Sequence, residues 1–188
     1  MKKIIALLCF CFGSCFGYAQ LEDGQSMVNL NLGLNSYFAS GSGFSTTIPP
    51  LEGSYEKMIS DNFSVGGFIG TYGTKYTLSG SGFGSSYNSE TKYSYVNVGA
   101  LGNYHFVNSE SFNLYGGLKL GYVNSKVSSE ASASVSGYTE TLSSDAKGSG
   151  FLFGLAIGAR YHLSEKMAAN AELGYGIALL KLGITFNL

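Results

Sequence analysis

Charge is scarce in this chain of 188 residues: Asp, Glu, Lys and Arg together make up 12% of it, about half the share usual in a soluble globular protein. That shortage excludes a highly charged disordered segment. It also excludes a basic nucleic-acid binder, whose phosphate contacts need clustered Lys and Arg. Trp is absent, Pro occurs twice, and the three cysteines (Cys9, Cys11 and Cys15) all lie near the start. Nothing after Ala19 is a continuous apolar run of the roughly 20 residues that a spanning helix needs. What the chain has instead is 14 Tyr, 13 Phe and 27 Gly, too much apolar and aromatic matter for an unfolded chain.

The beginning reads as a removable leader. Lys2 and Lys3 precede an apolar stretch over residues 4–12, and Gly17-Tyr18-Ala19 sets small residues at −3 and −1 of a cleavage site before Gln20. We therefore expect residues 1–19 to be a signal peptide cleaved between Ala19 and Gln20, and residues 20–188 to form one domain. Phe12-Gly13-Ser14-Cys15 loosely matches a lipobox, with Phe where Leu is usual, which makes lipidation at Cys15 the lesser alternative. Loss of the leader leaves nine basic residues against twelve acidic ones, a net charge of −3. It also takes away every cysteine, and with them any disulfide or thiolate metal site. With only His105 and His162 remaining, a transition-metal centre is not expected, nor is any cofactor.

The remainder alternates with the period of a strand. Val28, Leu30 and Leu32 oppose Asn29, Asn31 and Gly33; Leu114, Leu118, Leu120 and Tyr122 oppose Asn113, Tyr115, Gly117, Lys119 and Gly121. Phe151, Phe153, Leu155, Ile157 and Tyr161 oppose Gly154, Ala156, Gly158 and Arg160, and Leu180, Leu182, Ile184, Phe186 and Leu188 oppose Lys181, Gly183, Thr185 and Asn187. Weaker versions lie near residues 51–56, 63–72, 96–106 and 169–175, with Phe68 and Tyr72 blurring the faces of the second. That makes eight strands, each expected to run close to the nine to eleven residues that cross hydrocarbon. Ser60-Asp61-Asn62, Asn108-Ser109-Glu110 and Ser164-Glu165-Lys166 read as tight turns. Residues 40–47, 77–91 and 127–148 read as long polar loops, and a short tip near Gly176 joins the last pair. Gly-Ser-Gly-Phe recurs at 41–44, 80–83 and 148–151; without a strand before and a helix after it is no phosphate loop, so it is placed in those loops.

A soluble eight-stranded barrel would turn its apolar face inward and show Lys and Glu to water. Here the polar face is Asn, Ser, Gly and Tyr, which suits a narrow lumen, and aromatics such as Tyr37, Phe38, Tyr76, Tyr93, Tyr104, Phe106 and Tyr161 cluster at strand ends as interfacial girdles do. The expected fold is all-β: an eight-stranded antiparallel up-and-down transmembrane β-barrel, with both termini periplasmic and the long loops extracellular.

Ile48-Pro49-Pro50-Leu51-Glu52-Gly53-Ser54-Tyr55, Gly158-Ala159-Arg160-Tyr161-His162-Leu163 and Ala171-Glu172-Leu173-Gly174-Tyr175-Gly176 carry a resemblance over the whole mature chain. The chain resembles the small outer-membrane β-barrels of OmpA/OmpX type, in a form similar to those of Bacteroidetes. Within the last eight residues, Lys181, Gly183, Phe186 and Leu188 follow a pattern that resembles the signal read by the barrel assembly machinery, though Leu188 stands where many members end in an aromatic. The resemblance implies outer-membrane lipids, lipopolysaccharide and that machinery as partners.

Glu52, Glu56, Lys119, Arg160, Glu172 and Lys181 share inward parity. In a lumen just wide enough for side chains to fill, they are expected to pair as a structural cluster and not to line a pore. His105, His162 and Ser164, with Glu172 nearby, faintly resemble the set of outer-membrane lipid A deacylases; both histidines sit beside tight turns, on the wrong rim for that work, and are read as lumen or interface residues. A non-enzymatic, monomeric membrane protein with a structural or surface-interaction role ranks first, a narrow channel second, a lipid-modifying enzyme third.

Overall fold

The computed structural model describes residues 21–34, 42–82, 85–135 and 138–188. Eight strands follow one another: β1 (Ser26–Gly33), β2 (Phe44–Ser60), β3 (Phe63–Gly82), β4 (Ser85–Asn108), β5 (Phe112–Val135), β6 (Tyr138–Ser164), β7 (Met167–Tyr175) and β8 (Leu180–Asn187). Each pairs antiparallel with the next, and β1 pairs with β8 from Met27↔Asn187 to Gly33↔Lys181, so the sheet closes on itself and keeps no edge along the barrel. The alternation read from the sequence is the alternation of the wall. Leu30, Leu51, Ile69, Val98, Leu118, Leu155, Leu173 and Ile184 stand exposed on the outer surface, while Asn29, Glu52, Asn97, Lys119, Arg160 and Glu172 are buried inside. An outside this apolar is stable only against another apolar phase.

Strand length differs from expectation. β1, β7 and β8 have 8, 9 and 8 residues, but β2 has 17, β3 20, β4 and β5 24 each, and β6 27. The stretches 77–91 and 127–148, expected as loops, continue the ladders: Thr77 pairs with Glu90 and so on to Gly82 with Ser85, and Val127 pairs with Ala146 and so on to Val135 with Tyr138. The stretch 40–47 becomes strand from Phe44, which pairs with Tyr76. Local backbone pairing within a hairpin needs no buried face, so Ser, Thr and Gly sustain strands here that a hydrophobic pattern does not announce. Gly148 to Phe151 accordingly lies within β6, and Tyr87 and Tyr138 are exposed residues of the extended strands. The result is a four-stranded ribbon of β3–β6 standing on one rim.

On its outer face Glu90 bridges Lys92 at 2.9 Å and Lys75 at 3.2 Å, and these two hydrogen bonds hold its carboxyl below the usual carboxylate range. The girdle is also redistributed. Tyr104, Phe106 and Tyr161 are exposed on the outer wall, whereas Tyr93 stands opposite the buried Thr74, on the inward parity. Tyr37 and Phe38 lie outside the described residues.

Candidate functional site

The interior is stacked in layers. At the tight-turn end Leu21, Met27 and Met58 form an apolar lid. Asn108, the last residue of β4, clasps the chain here: its Oδ1 accepts from the Leu21 N–H (3.2 Å), and its Nδ2 donates to the carbonyls of Leu21 (2.7 Å) and Asp61 (3.2 Å).

Above that lid sits a polar layer around Glu56. Its carboxylate accepts from Arg160 Nη2 (2.7 Å), Asn29 Nδ2 (2.7 Å) and Asn103 Nδ2 (2.7 Å), and Ser64 Oγ lies 3.0 Å away. The guanidinium lies over the Tyr115 ring, 4.3 Å from its centroid. Tyr115 then separates this layer from the next, its hydroxyl donating upward to Glu172 at 3.4 Å.

The second charged layer is a square. Lys119 Nζ bonds Glu52 at 2.6 Å and Glu172 at 3.0 Å; Lys181 Nζ bonds Glu52 at 3.1 Å and also Glu172. Two ammoniums and two carboxylates alternate around a ring with no net charge, which is how four ions can be held away from water. Phe68, Tyr72, Leu101 and Ile177 cap the square on the ribbon side, and Lys119 also lies 5.7 Å from the Phe68 ring centroid. Ile177 gets there because Gly176, at φ 143°, turns the short β7–β8 tip inward.

The six charged residues singled out by parity are therefore all inside, brought together as a pair and a quartet. Sequence reasoning missed the neutral members (Asn29, Ser64, Asn103, Asn113 and Tyr115), although their inward parity was readable. Lys181 belongs to the square and Gly183 packs against the Leu30 carbonyl and the Asn31 side chain, while Phe186 and Leu188 face outward. Ala19 and Gln20 lie outside the described residues.

Glycine makes room where the layers are thickest. A Cβ on Gly158 would overlap the Tyr115 ring. Gly158→Val is expected to lower stability by about 1–3 kcal/mol through overpacking. Adding Tyr115→Ala should return part of that loss, read as the urea midpoint of the folded barrel in detergent.

The histidines are not assembled with Ser164. His162 is buried with neither ring nitrogen hydrogen-bonded among the described residues, and a register shift separates it from Ser164. His105 instead lies between Ser64 Oγ (3.0 Å from Nε2) and Asn113 Oδ1 (2.9 Å from Nδ1). Because Asn113 Nδ2 donates to the Val107 carbonyl (3.1 Å), its Oδ1 is the acceptor for His105 Nδ1–H, while the Ser64 hydroxyl beside Nε2 turns its one proton to Glu56. The order nucleophile, base, orienter is present. But Ser64 is fully buried, and the Glu56 carboxylate competes for the same hydroxyl proton.

The closed eight-stranded ring has an apolar outside and a filled polar inside, and one family model, the outer membrane protein beta-barrel domain, matches residues 5–185. The chain belongs to this outer-membrane barrel family. The barrel is similar in fold to the outer membrane protein OprG from Pseudomonas aeruginosa, at 13% identity and a TM-score of 0.57 over 93% of this chain and 99% of that one. Further similar structures are the N-terminal β-barrel domain of Pseudomonas aeruginosa OprF (14% identity, TM-score 0.49, 89% and 100% covered) and Ail, the attachment invasion locus protein of Yersinia pestis (15%, 0.44, 88% and 95%). No curated protein matches the chain. The family places the barrel in the outer membrane.

Proposed function

We propose that this outer-membrane barrel is a closed, non-enzymatic protein that acts through its surface and its presence in the membrane, and conducts nothing through its lumen. The observation that carries the reading is the occlusion of the interior. Two charged layers lie between two apolar lids, and the cavity left beside Glu52, Lys119, Glu172 and Lys181 measures about 10 Å³, room for no more than one water. The ions of the square, neutral as a set and bonded to one another, offer a passing solute no free charge to replace its hydration.

In this reading both termini are periplasmic and the β3–β6 ribbon is extracellular, the arrangement that short turns and long projections take in outer-membrane barrels. The monomer is inserted by the barrel assembly machinery through Lys181, Gly183, Phe186 and Leu188, and its belt contacts outer-membrane lipids and lipopolysaccharide. No nucleic acid takes part.

The test is single-channel recording of the purified barrel in planar bilayers. The expected result is a baseline without steady open levels. Steady open steps that grow when Phe68 and Lys119 are both cut to Ala would overturn the proposal and establish a narrow channel.

A further inference from the structure

The outer face of the ribbon is ordered in rows, because cross-strand partners point the same way. The row Ile69, Val98, Tyr122, Phe151 is the last apolar one, and in it Tyr122 and Phe151 meet edge to face at 6.2 Å. The next outward row is Thr71, Val96, Asn124, Ser149, and the one after it is Gly73, Ser94, Lys126, Lys147. Lys126 and Lys147 are thus direct cross-strand partners of like charge, an arrangement that destabilises a sheet unless an anion lies between them. Asp145 reaches Lys126 at 3.4 Å, but both side chains are more than half exposed, so the bond is weak and readily exchanged. Lys147 makes no ion pair within 4 Å among the described residues, and Asp145 acts on it only at longer range, so one carboxylate serves two ammoniums.

Height decides what the pair meets. Alternate residues lie about 6.6 Å apart along a strand tilted by about 40°, so each row stands roughly 5 Å above the one below. Asn124 and Ser149 are then about 5 Å, and the two lysines about 10 Å, above the aromatic row that ends the belt. The headgroup zone on each side of a bilayer is about 5–8 Å deep. Lys126 turns its ammonium to Asp145 in the row above, a weak exposed bond, and from there the two flexible lysines can swing over the two neutral side chains, an amide donor and a hydroxyl, that lie at that depth.

We infer that Lys126, Lys147, Asn124 and Ser149 form a binding site for the phosphate of a phosphorylated lipid headgroup, with the acyl chains running down over Tyr122 and Phe151. This deepens the lipid contact proposed above and rests on the membrane belt, independent of which leaflet the rim meets. Conductance plays no part in its test, so a conducting lumen would leave it standing.

The experiment uses the full mature barrel in zwitterionic micelles, titrated with bisphosphorylated lipid A and with the same lipid stripped of phosphate, bound lipid being counted by native mass spectrometry. The barrel should retain the phosphorylated form and lose it with rising salt. Lys126→Gln with Lys147→Gln should weaken retention about tenfold, since each lysine near an anionic headgroup contributes a few-fold. Asp145→Asn should strengthen it, and Lys57→Gln near the opposite rim should leave it unchanged. A heat-dependent gel shift checks that each variant folds; were the double variant not to fold, the salt dependence and the Asp145→Asn gain still decide. Equal retention of the two lipids, or displacement of lipid by inorganic phosphate at matched concentration, would overturn the inference.

Discussion

Arg160→Met is expected to destabilise the barrel by about 3–5 kcal/mol, because it strips from a buried carboxylate the one cation paired with it among the described residues. Arg160 and Glu56 are 1% and 2% exposed, and the three other groups at the Glu56 carboxylate, Asn29, Asn103 and Ser64, are neutral. Those hydrogen bonds soften a lone charge without balancing it. The double variant Glu56→Gln with Arg160→Met removes both charges while keeping most of the volume, and should recover the larger part of the loss. The measurement is the urea concentration at which the heat-shifted gel band of the reconstituted barrel disappears. If single and double variants cost the same, Arg160 acts through packing on the Tyr115 ring and not through charge, and the layered ion-pair account of the lumen fails.

The wall was legible in the sequence because its two faces meet different solvents, lipid and a crowded polar lumen, and period-two alternation records that difference residue by residue. Inward parity picked out Glu52, Glu56, Lys119, Arg160, Glu172 and Lys181 for the same reason. Their division into a pair and a quartet was not legible. It depends on strand register, with Lys181 opposite Glu172 and Asn170 opposite Arg160, and register is a property of pairs of strands. Phe68 and Tyr72 appeared to break the pattern because they obey a different demand: they face inward, with Leu101 and Ile177, to close the lumen over the charges. The ribbon was misread as loops because above the membrane nothing enforces alternation. Ser, Gly and Thr there hold strands together mainly by the backbone ladder, with side-chain bonds such as Thr91 to Ser129 added across it. Once the register is known, the same polar stretch yields the Lys126–Lys147 pair, which no linear spacing suggests.

The charge square allows a test in which the number of substitutions is fixed and only the balance changes. Glu52→Gln with Lys119→Met removes one anion and one cation, leaving Lys181 against Glu172, a neutral contact already present. Glu52→Gln with Glu172→Gln leaves two ammoniums facing each other under the Phe68 lid. The first double variant is expected to cost less than the sum of its single changes by about 1–3 kcal/mol, the coupling that contacting charges show. The second should be less stable than the first by on the order of 3 kcal/mol, since unpaired buried ions carry their full desolvation penalty. Urea unfolding in lipid vesicles reads both. Equal stabilities would mean that the square fills space and that any side chains of that volume would serve. A large gap would mean that the lumen is closed by electroneutrality as much as by bulk, so that an inward charge introduced on one strand would call for its opposite on a strand it touches.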